Sequence, residues 1–233
     1  MKLLRICLLA CLPGLLLLCC CASNEVGLSK DVNQDEICQT YFVTYNQQED
    51  LTEVTAFFRF AGPNGTTLVL TEPSTIKVNG EEMGFSQTDA SGAFYTKTIK
   101  GQLPNGDCVF EFTDTDGKTF TNKLKWQNFA VDSVQPLAKG EDLKLKFTDN
   151  PDVRDGELSV EVSDTATGIR EGFRSIHLKT ATIKAEKLDS LNGPLTVNIK
   201  REDNFKLRQQ TNAGGFIYTE YRLKPFELLR VEQ

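Results

Sequence analysis

The sequence predicts an all-β protein of two β-sandwich domains behind a cleaved signal peptide. Three observations carry this. Apolar residues alternate with polar ones in run after run, the period of a strand with one buried and one wet face. Six Asn-Gly or Asp-Gly pairs punctuate those runs: 64-65, 79-80, 105-106, 116-117, 155-156 and 192-193. Such pairs accept positive φ and close hairpins. Finally, the one long apolar stretch lies at the N-terminus. The 233 residues are 39% hydrophobic and 25% charged, a globular composition. A net charge of −6 argues against nucleic acid as a partner.

The first element is the export segment. Lys2 and Arg5 precede an uncharged stretch from Ile6 to Ala22, densest at Leu15–Leu18 and interrupted by Pro13-Gly14. A basic start, an apolar middle and a small-residue exit form the export pattern. The stretch is short for a membrane span, which needs about 20 residues. Its end, Leu18-Cys19-Cys20-Cys21, resembles the lipobox of bacterial lipoproteins, in which a Leu sits three before a Cys. That resemblance implies removal of residues 1–20 and a lipid on the Cys21 thiol, with Cys20 as the alternative. It also implies a membrane as the first partner, and Ala22 in second place implies sorting to the outer membrane. Here a Cys stands where Gly, Ala or Ser normally precedes the lipidated residue. Ordinary signal cleavage after Ala22 is the competing reading.

Residues 21–35 are polar and aperiodic and read as a tether. The first sandwich is expected over 36–130. Val54, Ala56, Phe58 and Phe60 alternate with Thr55, Phe57 and Arg59, and Asp116-Gly117 separates Cys108–Thr113 from Lys118–Trp126 as a hairpin. The run 53–59, the hairpin Ile76-Lys77-Val78-Asn79-Gly80 and the late strand Gly106-Asp107-Cys108-Val109-Phe110 resemble bacterial immunoglobulin-like envelope domains. In that family a Tyr often follows the Gly-Asp; Cys108 stands there instead.

Cys38 and Cys108 are the cysteines outside the signal region. An oxidising compartment would let them form a disulfide. Parity puts Cys108 inward with Phe110 and Phe112, but sets Cys38 opposite Ile37, Tyr41 and Val43. A bulge would be needed to reverse this. Two separate thiols are the alternative.

The second sandwich is expected over 131–233, after a seam near Val131–Lys139. Leu143/Leu145/Phe147, Leu158/Val160/Val162 and Leu195/Val197/Ile199 supply its alternating runs. Thr182–Leu191 is the one short helix expected. A single larger sandwich of the same strands is the competing architecture.

Candidate chemistry is sparse. His177 is the only histidine, too few for a triad or a His-based zinc site. The acidic run Asp149, Asp152, Asp155 and Glu157 lacks EF-hand spacing and contains Arg154, so it reads as a solvated loop. No nucleotide, hydrolase or zinc-protease motif occurs. The expectation is therefore a non-catalytic protein without metal or cofactor. Its partner would be an envelope protein, in an interaction or assembly role, or alternatively a glycan. Residues 21–169 are acidic in sum and 170–233 basic, which suits an anionic partner or attraction between the two halves. Adjacent aromatics such as Phe57-Phe58 and Phe94-Tyr95 must point to opposite sides of a strand. One of each pair therefore needs a cover. Phe57, Tyr95 and Trp126 are the candidate binding residues.

Overall fold

The computed structural model describes residues 25–103, 107–125, 129–148, 156–175 and 179–231. Cys21, Trp126, His177 and the acidic residues 149–155 lie outside them.

Along the chain come β1 (Val26–Leu28), β2 (Ile37–Asn46), β3 (Leu51–Phe60), β4 (Thr67–Val69), β5 (Thr75–Val78), β6 (Glu81–Glu82), β7 (Gly84–Thr88), β8 (Gly92–Lys100), β9 (Asp107–Thr113) and β10 (Thr119–Lys125). There follow β11 (Ala130–Val134), β12 (Leu137–Ala138), β13 (Leu143–Thr148), β14 (Glu157–Asp164), β15 (Arg170–Ser175) and β16 (Thr180–Ile183). The helix α1 (Ala185–Leu188) precedes β17 (Leu195–Lys206), β18 (Gly215–Arg222), β19 (Phe226–Leu228) and β20 (Arg230–Val231). The fold is all-β as expected, and the one α-helical turn among the described residues lies inside the expected 182–191 stretch.

One large sheet dominates, with the order β1-β4-β3-β2-β18-β17-β14-β15, and β8 paired to β3. Two smaller sheets, β10-β9-β5-β6 and β11-β13-β16, form the second layer. On the N-terminal side Tyr41 stacks on Phe110 at 4.2 Å and Phe58 meets Phe112 at 4.4 Å. On the C-terminal side Phe129 bridges Phe147 at 5.0 Å and Tyr221 at 6.1 Å. Strand parity builds this core. Tyr41, Val43, Val54, Ala56, Phe58, Val160, Val162, Val197 and Ile199 all fall on the inner face and are buried.

This topology differs from two sandwiches divided near Val131–Lys139. The division does exist in the second layer, between β10 and β11. The large sheet crosses it, because β18 pairs in parallel with β2 from Gly215↔Gln39 to Arg222↔Asn46. No local pattern announces a parallel pairing between strands so far apart in sequence. Its start is built tightly. Gly215 has φ 154°, and a Cβ there would sit 1.9 Å from the Gln39 carbonyl oxygen. Thr211 Oγ1 donates to the Ile37 carbonyl at 2.6 Å, tying the preceding loop to the same strand.

Asp164 closes the other end of the sheet. Its carboxylate is buried and accepts four backbone N–H groups: Ala166 at 2.8 Å, Thr167 at 3.1 Å, Asn192 at 3.0 Å and Gly193 at 2.7 Å. The bond from Gly193 is the main cause holding its pKa down at about 2.

The disulfide is absent: Cys38 and Cys108 are separate buried thiols. Parity explains this without a bulge. Cys108 lies with Phe110 against the inner face of the sheet, whereas Cys38 is on the opposite face from Tyr41, with its sulfur 4.0 Å from Thr40 Oγ1. Burial pushes the Cys108 thiol up to about 12. Burial also raises Cys38, against the opposing pull of Thr40 and Arg59.

Three outcomes follow from this architecture. Alkylation of the native protein should leave the Cys38 and Cys108 peptides unlabelled, and denaturant should make both label as free thiols. Gly215→Ala should destabilise by about 2 kcal/mol or more in urea unfolding, because the strained position has no room for the methyl group. Asp164→Ala should lower the urea midpoint at neutral pH. The stability given by a depressed carboxylate is complete above its unfolded pKa of about 3.9 and lost as pH falls through about 2. Wild type and variant should therefore converge over that window.

Candidate functional site

The outer face of the large sheet follows from the same parity. In β2 the inward residues are odd-numbered, so Phe42, Thr44 and Asn46 point out. Register carries the alternation to the neighbouring strands, where Phe57, Phe94, Phe216 and Tyr218 share the outer side. They form a stripe across β8, β3, β2 and β18. Phe57 lies 5.5 Å from Phe94 and 5.8 Å from Phe42. Phe42 in turn lies 6.1 Å from Phe216 and 5.7 Å from Tyr218. The Arg59 guanidinium sits 5.1 Å from the Phe57 ring centroid, a cation–π contact. All five residues are half-buried.

The stripe runs into a polar ladder on β17 and β18. The Tyr218 hydroxyl donates to Glu202 Oε1. Lys200 Nζ lies 3.1 Å from Glu202 Oε1 and 3.5 Å from Glu220 Oε2, and Arg222 Nε holds Glu220 Oε1. Burial opposes ionisation of Glu202, but the Tyr218 hydroxyl and the Lys200 ammonium, with the more distant Arg174, outweigh it and keep the carboxyl below its usual range. The Tyr218 phenol is pushed up by burial first and then by its bond to Glu202.

Beyond the ladder is a cavity of about 340 Å³. It forms where β18 stops pairing with β17 at Arg222 and β19 takes up the pairing at Phe226. Leu223 N–H still reaches the Ile199 carbonyl at 3.0 Å, and Pro225 has no N–H to offer. Asn46, Gln48, Ser159, Asn198, Lys200 and Arg222 line the space. With Glu161 they supply amide, hydroxyl, carboxylate, ammonium and guanidinium groups, the chemistry of hydrogen-bonded recognition. Among the described residues, no cluster of three His, Cys, Asp or Glu side chains is arranged to hold a metal ion.

Of the expected binding residues, Phe57 lies on this face. Tyr95 does not. It pairs with inward-facing Ala56, packs 6.0 Å from Phe58, and its hydroxyl accepts the Leu70 N–H at 2.7 Å. Phe94 is the member of that pair that faces out. Trp126 and the lipidation candidate Cys21 lie outside the described residues. Phe42 could have been found by parity, since Tyr41 and Val43 were legible as inward. Phe216 and Tyr218 could not, because their place beside Phe42 depends on the distant β2–β18 pairing. No protein-family model matches this chain, and no curated protein matches it.

Proposed function

We propose that this is an exported, lipid-anchored, non-catalytic protein of the cell envelope whose outer sheet face binds a glycan. The carrying observation is that the aromatic stripe and the polar cavity share one face, with the ladder of Glu202, Lys200, Glu220 and Arg222 between them. A sugar ring offers an apolar face to an aromatic ring and hydroxyls to amide and charged groups. Half-buried rings in a polar setting suit that ligand better than a large apolar protein anchor. The exposed large apolar residues among those described, Leu28, Phe85, Ile169 and Leu229, are not among the stripe residues. The export and anchoring parts of the proposal rest on the basic, apolar and Cys-ending N-terminal segment.

An assembly role, with an envelope protein as the partner, is the second reading. It has less support at the sheet edge. Edge strand β15 carries Arg170, Glu171 and Arg174, and such charges discourage strand addition.

A glycan array followed by calorimetry on the mature chain tests the proposal. Tyr218→Ala and Phe42→Ala should each weaken glycan binding by about tenfold or more, as expected for loss of an aromatic anchor. A blank array, with a stoichiometric protein partner lost on the same substitutions, would move the assembly reading to first place. Binding of either kind that ignores both substitutions would remove the face from consideration.

A further inference from the structure

We propose that the cleft between β10 and the C-terminal end of β17 is a second site, which takes a phosphate-bearing ligand. The cleft has a volume of about 520 Å³, within the range of small-molecule sites. Lys123, Lys125, Lys206 and Arg208 line it, against a single carboxylate, Asp107. Lys123 is engaged by Asp107 at 2.7 Å. Lys125, Lys206 and Arg208 make no ion pair among the described residues. Three cations that border the cleft thus lack an ion-pair partner among the described residues, in a chain of net charge −6.

The second observation lies beside the cleft. A smaller cavity of about 20 Å³ shares Leu124, Lys125 and Phe205 with it and is lined further by Arg201, Asp203, Thr219 and Tyr221. The Arg201 residue is 3% exposed. Asp203 occupies one edge of its guanidinium, with Oδ2 2.8 Å from Nε and Oδ1 accepting from Nη2 at 3.2 Å. Nη1 is buried and has no hydrogen-bond partner. A buried donor without an acceptor is costly, and the small cavity has space for about one oxygen-sized group. An oxyanion in the cleft would bring acceptor atoms toward that donor, directly or through a water, while its remaining charge meets the three cations.

The walls are already set. Asn122 is buried, its Oδ1 accepts from the Arg208 and Gln209 N–H groups at 2.9 and 3.0 Å, and its Nδ2 donates to the Gln209 carbonyl at 2.8 Å. These bonds fix the loop that carries Arg208 against β10, so little ordering is left to binding. Phosphate fits better than carboxylate because it presents more acceptor oxygens and up to two charges to the cationic set. The group could be carried by a soluble phosphate ester or by a lipid headgroup.

The test uses the mature chain, inorganic pyrophosphate as soluble probe and phosphatidylglycerol vesicles as the lipid probe. Pyrophosphate should shift the backbone amide resonances of Leu124, Lys125, Phe205 and Lys206 saturably. The double variant Lys125→Ala/Arg208→Ala should weaken this by about tenfold or more, the scale of losing charge-assisted contacts. Lys144→Ala, an exposed lysine on β13, controls for overall charge. Arg201→Lys keeps the charge but removes the fork, and should also weaken binding. If that variant fails to fold, the surface double variant decides. Vesicle binding lost in the double variant, without a pyrophosphate response, would support the site and assign its ligand as a headgroup. Pyrophosphate binding that the double variant leaves intact would overturn the proposal. So would the absence of both a pyrophosphate response and variant-sensitive vesicle binding.

Discussion

The parallel pairing of β2 with β18 is the constraint on which the rest of the molecule depends. It joins a strand near the start of the described chain to one near its end, over the full length of β18. Without it there would be two narrower sheets, each with its own small cover sheet. With it, Tyr41, Val43, Val197 and Ile199 belong to one buried layer, and the core is continuous. The outer face inherits the same dependence. The contacts of Phe42 with Phe216 and Tyr218 cross this junction.

Much of this was legible in the sequence, and the boundary of legibility is physical. Period-two alternation is local, so the inward residues of β3, β13, β14 and β17 could be read directly. Pairing between distant strands is not local. Choosing between Phe94 and Tyr95 as the outward member of their pair therefore needs the register against Ala56. Asn192-Gly193 shows a different limit. It looks like a hairpin turn, but its two N–H groups are directed at Asp164, a residue whose role no nearby pattern betrays. Asn79-Gly80 does close a hairpin, with φ of 50° and 81°. For the cysteines, parity alone was the right guide, since no bulge intervened to bring Cys38 to the side of Cys108.

The uneven charge along the chain has more than one explanation in the fold. Part of the basic excess after residue 170 answers the acidic segment before it. Arg170 meets Glu161 at 3.7 Å, Arg174 meets Glu157 at 3.3 Å and Lys184 meets Asp142 at 2.9 Å. These pairs are largely exposed and contribute little to stability individually. Another part is internal to the ladder around Glu202 and Glu220. What remains, at Lys206 and Arg208, gathers beside Lys125 and above the buried Arg201–Asp203 pair. Net charge by segment hinted at an anionic partner, but only the fold separates these three uses of the same residue types.

The direction of the β2–β18 pair has a mechanical meaning. Two parallel neighbours held from opposite ends are loaded along their own length, so their ladder of hydrogen bonds shares the force instead of parting one bond at a time. A pull applied before Ile37 and after Arg222 loads this pair in that way. A load that enters on the N-terminal side and leaves through the segment after Arg222 would thus place the central strand pair in shear. The pairing that unites the two halves is also the arrangement best suited to keep them united under tension.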